Sequence, residues 1–285
     1  VVSALSTWRE NNVLRAYCHY FQQIGFPFSQ AYIAETLTKN PAITCLLLEF
    51  FQARFNPENK RVSENELKRL EDNVVKMLDE VASLDEDRIL RQYLEVIKAT
   101  QRTNYFQRNS EGADKDYVSF KLKPSCIPGM PLPCPKHEIF VYSLRFEGLH
   151  LRGAKVARGG LRWSDRREDY RTEVLGLMKA QQVKNSVIVP LGAKGGFITK
   201  MLSPEADRDE MLREGIACYQ SFIRGMLDLT DNIVNKVIVP PESVVRYDED
   251  DSYLVVAADK GTATFSDIAN EISQEYNFWL GDAFA

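Results

Sequence analysis

Apolar positions in the first hundred residues recur every three or four places, the spacing of amphipathic helices. In TWRENNVLRAYCHYFQQIG (7–25) the stripe is Trp8, Val13, Leu14, Tyr17, Tyr20, Phe21 and Ile24, and Gly25 and Pro27 break it. SQAYIAETLTKN (29–40) begins at a Ser cap, and PAITCLLLEFFQARF (41–55) is apolar enough for a central core helix. In SENELKRLEDNVVKMLDEVAS (63–83) Ser63 precedes Glu66 by three residues, a capping box, and Ser83 and Glu86 repeat it before DRILRQYLEVIKATQR. Leu90, Tyr93, Leu94 and Ile97 give that last helix its apolar stripe.

The pattern changes after the polar break QRNSEGADKD (107–116). YVSFKL (117–122) and EIFVYSLRF (138–146) alternate with period two, as half-buried strands do. The proline-rich loop KPSCIPGMPLPCPKHE joins them, and HLRGAKVARGGLRW (150–163) predicts a further strand running into a turn. A helix over 167–186, a short buried strand VIVPL (187–191) and a helix beginning at Ser203 and Pro204 follow. KVIVPPE (236–242) and SYLVVAAD (252–259) read as strands and TFSDIANEISQEYNFWL (264–280) as a closing helix. The expected fold is therefore α + α/β: an N-terminal helical bundle over 1–106, then an α/β domain with a mixed sheet over 107–285.

Composition narrows the partners more than the fold. A net charge of −4 supplies no basic field for nucleic acid. No run approaches the about 18 apolar residues that would span a bilayer. Five scattered cysteines in a chain long enough to build its own core fit a reducing cytoplasm. The first residue is not Met, no signal-peptide layout follows, and the chain stops in the apolar NFWLGDAFA, so a piece of a longer protein is expected.

Candidate chemistry concentrates where strands end or enter turns, the usual ligand position in open α/β sheets. The three segments are VARGGLRW (156–163), VIVPLGAKGGF (187–197) and LVVAADKG (254–261). Between the first two lies a helix with Gln181 and Lys184 three apart, on one face. Arg158, Gln181, Lys184, Lys194 and Asp259 make three cations, one amide and one carboxylate, suited to a substrate with two carboxylates. GAKGG is not a phosphate loop, because its lysine is not followed by Ser or Thr and the glycine spacing fails. Cys126, Cys134 and His137 offer three ligands at a spacing unlike zinc pairs, so no metal is expected. YDEDDSY (247–253) lacks EF-hand spacing and reads as a solvated loop.

Taken in order, ARGGLRWSD, QQVKNSVIVPLGAKGGF and AADKGTATFSD resemble the substrate domain of the glutamate dehydrogenases, above all the large NAD-specific bacterial branch. That family carries K-G-G-x-R, then Q-x-x-K on a helix, then P-x-G-G-x-K-G-G, and later an aspartate before a glycine. The resemblance implies that Lys194 is the catalytic lysine and Asp259 the aspartate that relays protons to and from the substrate nitrogen. Lys184 would bind the α-carboxylate with Gln181 beside it, and Arg158, next to Gly159, would meet the side-chain carboxylate where the family commonly has lysine. Lys155 is the fallback for that carboxylate. A neutral Lys194, favoured by a dry cleft and neighbouring cations, would activate the attacking water, with Gly195 and Gly196 letting the substrate approach.

The implied reaction is L-glutamate, water and NAD to 2-oxoglutarate, ammonium and NADH, in a homo-oligomer. The chain contains no G-x-G-x-x-G, so NAD is expected to bind mainly to a domain outside it and the isolated chain to be inactive. The alternatives are another amino-acid dehydrogenase with an apolar substrate, against which Arg158 speaks, or a non-catalytic assembly module.

Overall fold

The computed structural model describes residues 7–58, 62–184, 191–203 and 205–285, without the side chains of 182–184. Helices α1 (Trp8–Gln23), α2 (Gln30–Lys39), α3 (Pro41–Phe55), α4 (Glu64–Leu78) and α5 (Leu84–Ala99) lie where the apolar spacing places them. Their ends follow local chemistry. Ser29, Ser63 and Ser83 each accept the backbone N–H three residues on, and α1 carries a reciprocal capping box between Thr7 and Glu10. Gly25, at φ 76°, closes α1 in the left-handed region. Trp8, counted in the apolar stripe, is the first helical residue and stays exposed.

Among the described residues the main sheet has seven strands in the order β1-β2-β3-β4-β6-β5-β9. They are β1 (Thr100–Thr103), β2 (Tyr117–Leu122), β3 (His137–Ser143), β4 (Phe146–Arg152), β5 (Gly160–Trp163), β6 (Ala193–Thr199) and β9 (Ala257–Ala258). Pairing is antiparallel from β1 to β6; β5 runs parallel to β6 and β9 parallel to β5. β7 (Asn232–Val234) and β8 (Val237–Val239) form a separate exposed hairpin. Helix α6 (Tyr170–Lys184) shares one face of the sheet with the N-terminal helices, while α7 (Arg208–Leu227) and α8 (Ser266–Glu275) cover the other.

The molecule is thus three-layered, with a core on each side of the sheet. Phe120, Leu122, Phe140, Tyr142, Leu149 and Leu151 point into the core made with α1, α3, α5 and α6. Tyr117, Ile139, Val141, Phe146 and Phe197 point into the core made with α7 and α8. The period-two strands are therefore buried on both faces rather than half-buried, and alternation distributes side chains between two cores. The helices expected over 1–106 share their core with the sheet, and β1, from within that stretch, is its edge strand.

Other expectations change. The stretch 138–146 is two strands, since β3 ends at Ser143 and β4 begins at Phe146; alternation runs on through a tight turn without signalling it. Helix α7 starts at Arg208 with Asp207 as its cap, not at Ser203, because the Asp207 carboxylate takes the Glu210 N–H at 2.7 Å. Within 252–259 only Ala257–Ala258 is strand. Pro204 and most of the expected strand 187–191 lie outside the described residues. No helix among the described residues is long and apolar enough to cross a membrane.

The segment 247–253 is not a solvated loop. Asp248 and Asp251 are almost wholly buried and meet charges projected from the sheet. Lys121 Nζ lies 2.5 Å from both carboxylates, Arg102 Nε 2.6 Å from Asp248, and Arg152 grips Asp251 through both terminal nitrogens. Arg102 also forks onto Asp231 at 2.9 and 3.1 Å. Three buried cations and three carboxylates thereby balance inside the fold, with Arg246 touching Asp231 at 3.2 Å from the rim and pairing outward with Asp250; balance is the condition under which buried charge is tolerated.

Candidate active site

Helix α6 carries one side of the site, and the N-terminal helices hold it in place. Gln23 of α1 donates to the carbonyls of Arg167 and Glu168 and accepts the N–H of Arg171 at 3.2 Å. Arg171 in turn forks onto buried Glu138 of β3 at 2.8 and 2.7 Å. Both contacts anchor the first turn of α6 against α1 and the sheet.

On the sheet side, Lys194 is the second residue of β6, opposite Leu151 of β4. It is a strand residue, not a turn residue, and its side chain leaves on the α6 face. The flanking glycines are required by packing. A Cβ on Gly195 would sit 2.3 Å from Leu161 Cδ2, and one on Gly196 2.8 Å from Val174 of α6. Gly159 has the most severe constraint, since a Cβ there would lie 1.4 Å from the Ala193 carbonyl oxygen. Only glycine lets the loop before β5 reach the start of β6, where the Ala193 N–H donates to the Arg158 carbonyl at 3.2 Å.

Asp259 follows β9 directly. Its N–H donates to Thr262 Oγ1 at 3.0 Å, and that hydroxyl donates to the Leu161 carbonyl at 2.6 Å. So held, Asp259 Oδ2 receives Lys194 Nζ at 2.5 Å, while Oδ1 receives the Lys260 N–H at 2.7 Å and Arg162 Nη2 at 3.3 Å. Burial works against the Asp259 charge, but the Lys194 hydrogen bond, the Lys260 N–H and Arg162 together outweigh it. Its carboxyl therefore lies below its ordinary value.

The cluster has a second half. Arg162, two residues past Gly160, donates Nη1 to Glu173 Oε1 at 2.8 Å, and Ser164 Oγ donates to Glu173 Oε2 at 2.6 Å. Burial raises the Glu173 carboxyl, yet Ser164 and Arg162 bring it below its ordinary value. The side chains of Lys194, Asp259, Arg162 and Glu173 are 15–19% exposed, sheltered but reachable from solvent. Two cavities, about 470 Å³ beside the α1–α2 turn and about 600 Å³ beside β7–β8, have none of these four in their walls.

The structure brings Lys194 and Asp259, two of the expected site residues, into contact. Lys194 meets a carboxylate, with the cation Arg162 on the other oxygen of that same group, while the Lys184 side chain foreseen beside it lies outside the described residues. Gln181 spends its amide on the Arg158 carbonyl at 2.7 Å, fastening the loop before β5 to α6. The side chains of Arg158 and Lys155 are exposed, and among the described residues neither enters an ion pair. Lys184 ends α6, and its side chain lies outside the described residues.

Arg162, Glu173, Ser164 and Thr262 escaped the sequence reading. A signal existed for two of them. Arg162 sits two places after Gly160 on the strand face that also carries Lys194, and Glu173 precedes Gln181 by eight residues, near the same helix face.

Residues 73–285 match the model of the bacterial NAD-glutamate dehydrogenase catalytic domain, and residues 1–57 that of glutamate dehydrogenase helical motif 3. Over its whole length the chain is 61% identical to an NAD-specific glutamate dehydrogenase of Halomonas elongata and 58% to one of Pseudomonas aeruginosa. Identity to that of Mycobacterium tuberculosis is 52%, again over the whole chain. The chain spans 18% of the length of each of these relatives. With most of its residues matched by that catalytic-domain model, the chain belongs to the bacterial NAD-glutamate dehydrogenase family.

Proposed function

We propose that the chain forms the substrate side of an enzyme that oxidatively deaminates L-glutamate to 2-oxoglutarate and ammonium with NAD. The observation that carries this reading is the Lys194–Asp259 contact at 2.5 Å, made by residues 65 apart in sequence and set beside α6. In the hydrolytic half-reaction Lys194, as the free amine, takes a proton from water while the water oxygen bonds to the imine carbon. That proton passes from Lys194 through Asp259 to the nitrogen of the carbinolamine so formed; the carbon–nitrogen bond then breaks as the hydroxyl becomes the carbonyl, and the hydroxyl proton goes to the departing ammonia, which leaves as ammonium. Because the Lys194 amine already touches the Asp259 carboxylate, one proton can pass between the two roles without rearrangement.

Arg158, Lys155 and Lys184 are the cations we assign to the two substrate carboxylates, with Gly159 and Gln181 shaping the loop between them. NAD is not assigned to residues of this chain. The helix following β6, where a parallel βα unit would seat a pyrophosphate, begins with Asp207, Asp209 and Glu210, which repel an anion. The hydride-accepting half of the reaction belongs on this reading to another part of the enzyme.

Lys194→Ala in the intact enzyme should lower kcat for glutamate oxidation by about 10²- to 10⁴-fold, the usual contribution of a positioned base. Turnover near the wild-type level would remove Lys194 from the chemistry.

A further inference from the structure

We infer that Arg162 and Glu173 are positioning residues for the reaction, Arg162 holding the Asp259 carboxylate in place and Glu173 limiting how tightly Arg162 grips it. The inference rests on the proposed role of Asp259 as proton carrier.

Arg162 leaves β5 on the face that carries Lys194, between the carboxylate after β9 and the carboxylate on α6. Its two contacts are unequal: 2.8 Å to Glu173 Oε1 and 3.3 Å to Asp259 Oδ1. Glu173 is itself pinned by Ser164 at 2.6 Å, so the guanidinium is held toward α6 and offers Asp259 a single long bond. Nη1 and Nη2 of Arg162 go to different carboxylates and its buried Nε has no hydrogen-bond partner among the described residues, so the fork is not spent bidentately on either carboxylate. Lys194 and Arg162 against Asp259 and Glu173 give a cluster of zero formal charge.

That neutrality has a chemical consequence. When Lys194 gives up its proton, the cluster becomes net negative and Asp259 gains affinity for a proton at the step that needs it. An Arg162 released from Glu173 would turn fully onto Asp259 and hold it as carboxylate. Loss of Arg162 would remove the cation that orients Asp259 once Lys194 engages water. The two substitutions therefore act on Asp259 in opposite senses.

The test is the pH dependence of kcat for glutamate oxidation by the intact enzyme. Glu173→Gln should move the acid limb down by about one pH unit and Arg162→Gln should move it up by a similar amount. Arg162→Lys, which keeps the charge, should restore the limb toward wild type with kcat still reduced. A purely structural role would lower kcat while leaving the limb in place. Limbs that stay put, or shift in the same direction in both variants, overturn the inference. Should Arg162→Gln fail to fold, the isosteric Glu173→Gln decides alone, because an unmoved or raised limb there is sufficient refutation. A wild-type enzyme that does not oxidise glutamate with NAD would instead defeat the functional reading on which this rests.

Discussion

Two clusters of opposed charges stand on opposite faces of one sheet, and they differ in what their burial permits. The Arg102–Lys121–Arg152 network with Asp231, Asp248 and Asp251 is closed, every side chain 6% exposed or less. The Lys194–Asp259–Arg162–Glu173 cluster uses the same chemical groups at similar distances but keeps 15–19% of each side chain open. In the closed network each charge answers another and none is available to a ligand, so it can only hold the segment 247–254 against the sheet. In the open cluster a lysine and a carboxylate remain reachable from solvent, as the proposed chemistry requires. The comparison teaches that pairing does not mark a site; pairing with access does.

The contrast predicts that the closed cluster matters for stability and the open one for turnover. The largest effect is expected from Asp251→Ala, which leaves Lys121 and Arg152 buried without their shared carboxylate. It should cost about 3–5 kcal/mol in urea unfolding, the usual penalty for breaking a buried pair. A loss below about 1 kcal/mol would mean that water reaches the network and that it is not closed.

Acid sharpens the comparison next. His150 of β4 is fully buried on the network face, neither ring nitrogen has a hydrogen-bond partner among the described residues, and burial followed by the nearby Arg152 lowers its pKa to about 3. His137 is lowered to about 4 for the same leading reason. A folded pKa below the unfolded value means that the unfolded chain binds the extra protons first. Stability from both histidines is thus fully present above about pH 6.5 and lost as pH falls toward 4 and then 3. His150 should contribute about 1.4 kcal/mol per pH unit within its window, and the partly exposed His137 less, because solvent screens its charge. The Asp251 carboxyl, held far below its ordinary range by Arg152 and Lys121 against the cost of burial, should begin to lose stability only below about pH 4. Urea midpoints measured from pH 7 to 4 should therefore decline well before the carboxylates titrate. His150→Leu should flatten the decline; an unchanged slope would show that His150 is solvated.

The smallest expected effect is Asp259→Asn on stability, about 1 kcal/mol or less, because its partners keep access to solvent. Glutamate turnover by the same variant should fall by at least about 100-fold. A stability loss comparable to that of Asp251→Ala would erase the distinction between the clusters.

Several features were legible in the residues themselves. Helix positions and most caps followed from local spacing, since Ser29, Ser63 and Ser83 act on N–H groups three residues away. The family resemblance likewise lay in short ordered motifs, with Lys194 and Asp259 inside them. The turn at Leu144–Arg145 was hidden because alternation continued across it, Glu173 because it looks like an ordinary exposed charge, and Arg162, though it fills the arginine of K-G-G-x-R, because nothing local names its partners.

By itself the sequence determined the local elements, the two sets of alternating strand residues and the candidates Lys194, Asp259, Gln181 and Arg158, because these depend on spacing between neighbours. Only the tertiary structure decided which charges meet. Asp251 and Asp259 are eight residues apart across the uncharged run SYLVVAA, yet the first is sealed against Lys121 and Arg152 and the second stands open beside Lys194. That difference comes from sheet order. The strand before Asp259 is the edge strand next to β5, whereas the chain around Asp251 crosses the sheet face that carries Lys121 and Arg152. Partners brought together over 65 to 130 residues leave no trace in local pattern, because the free energy that selects them is that of burying charge in balanced groups.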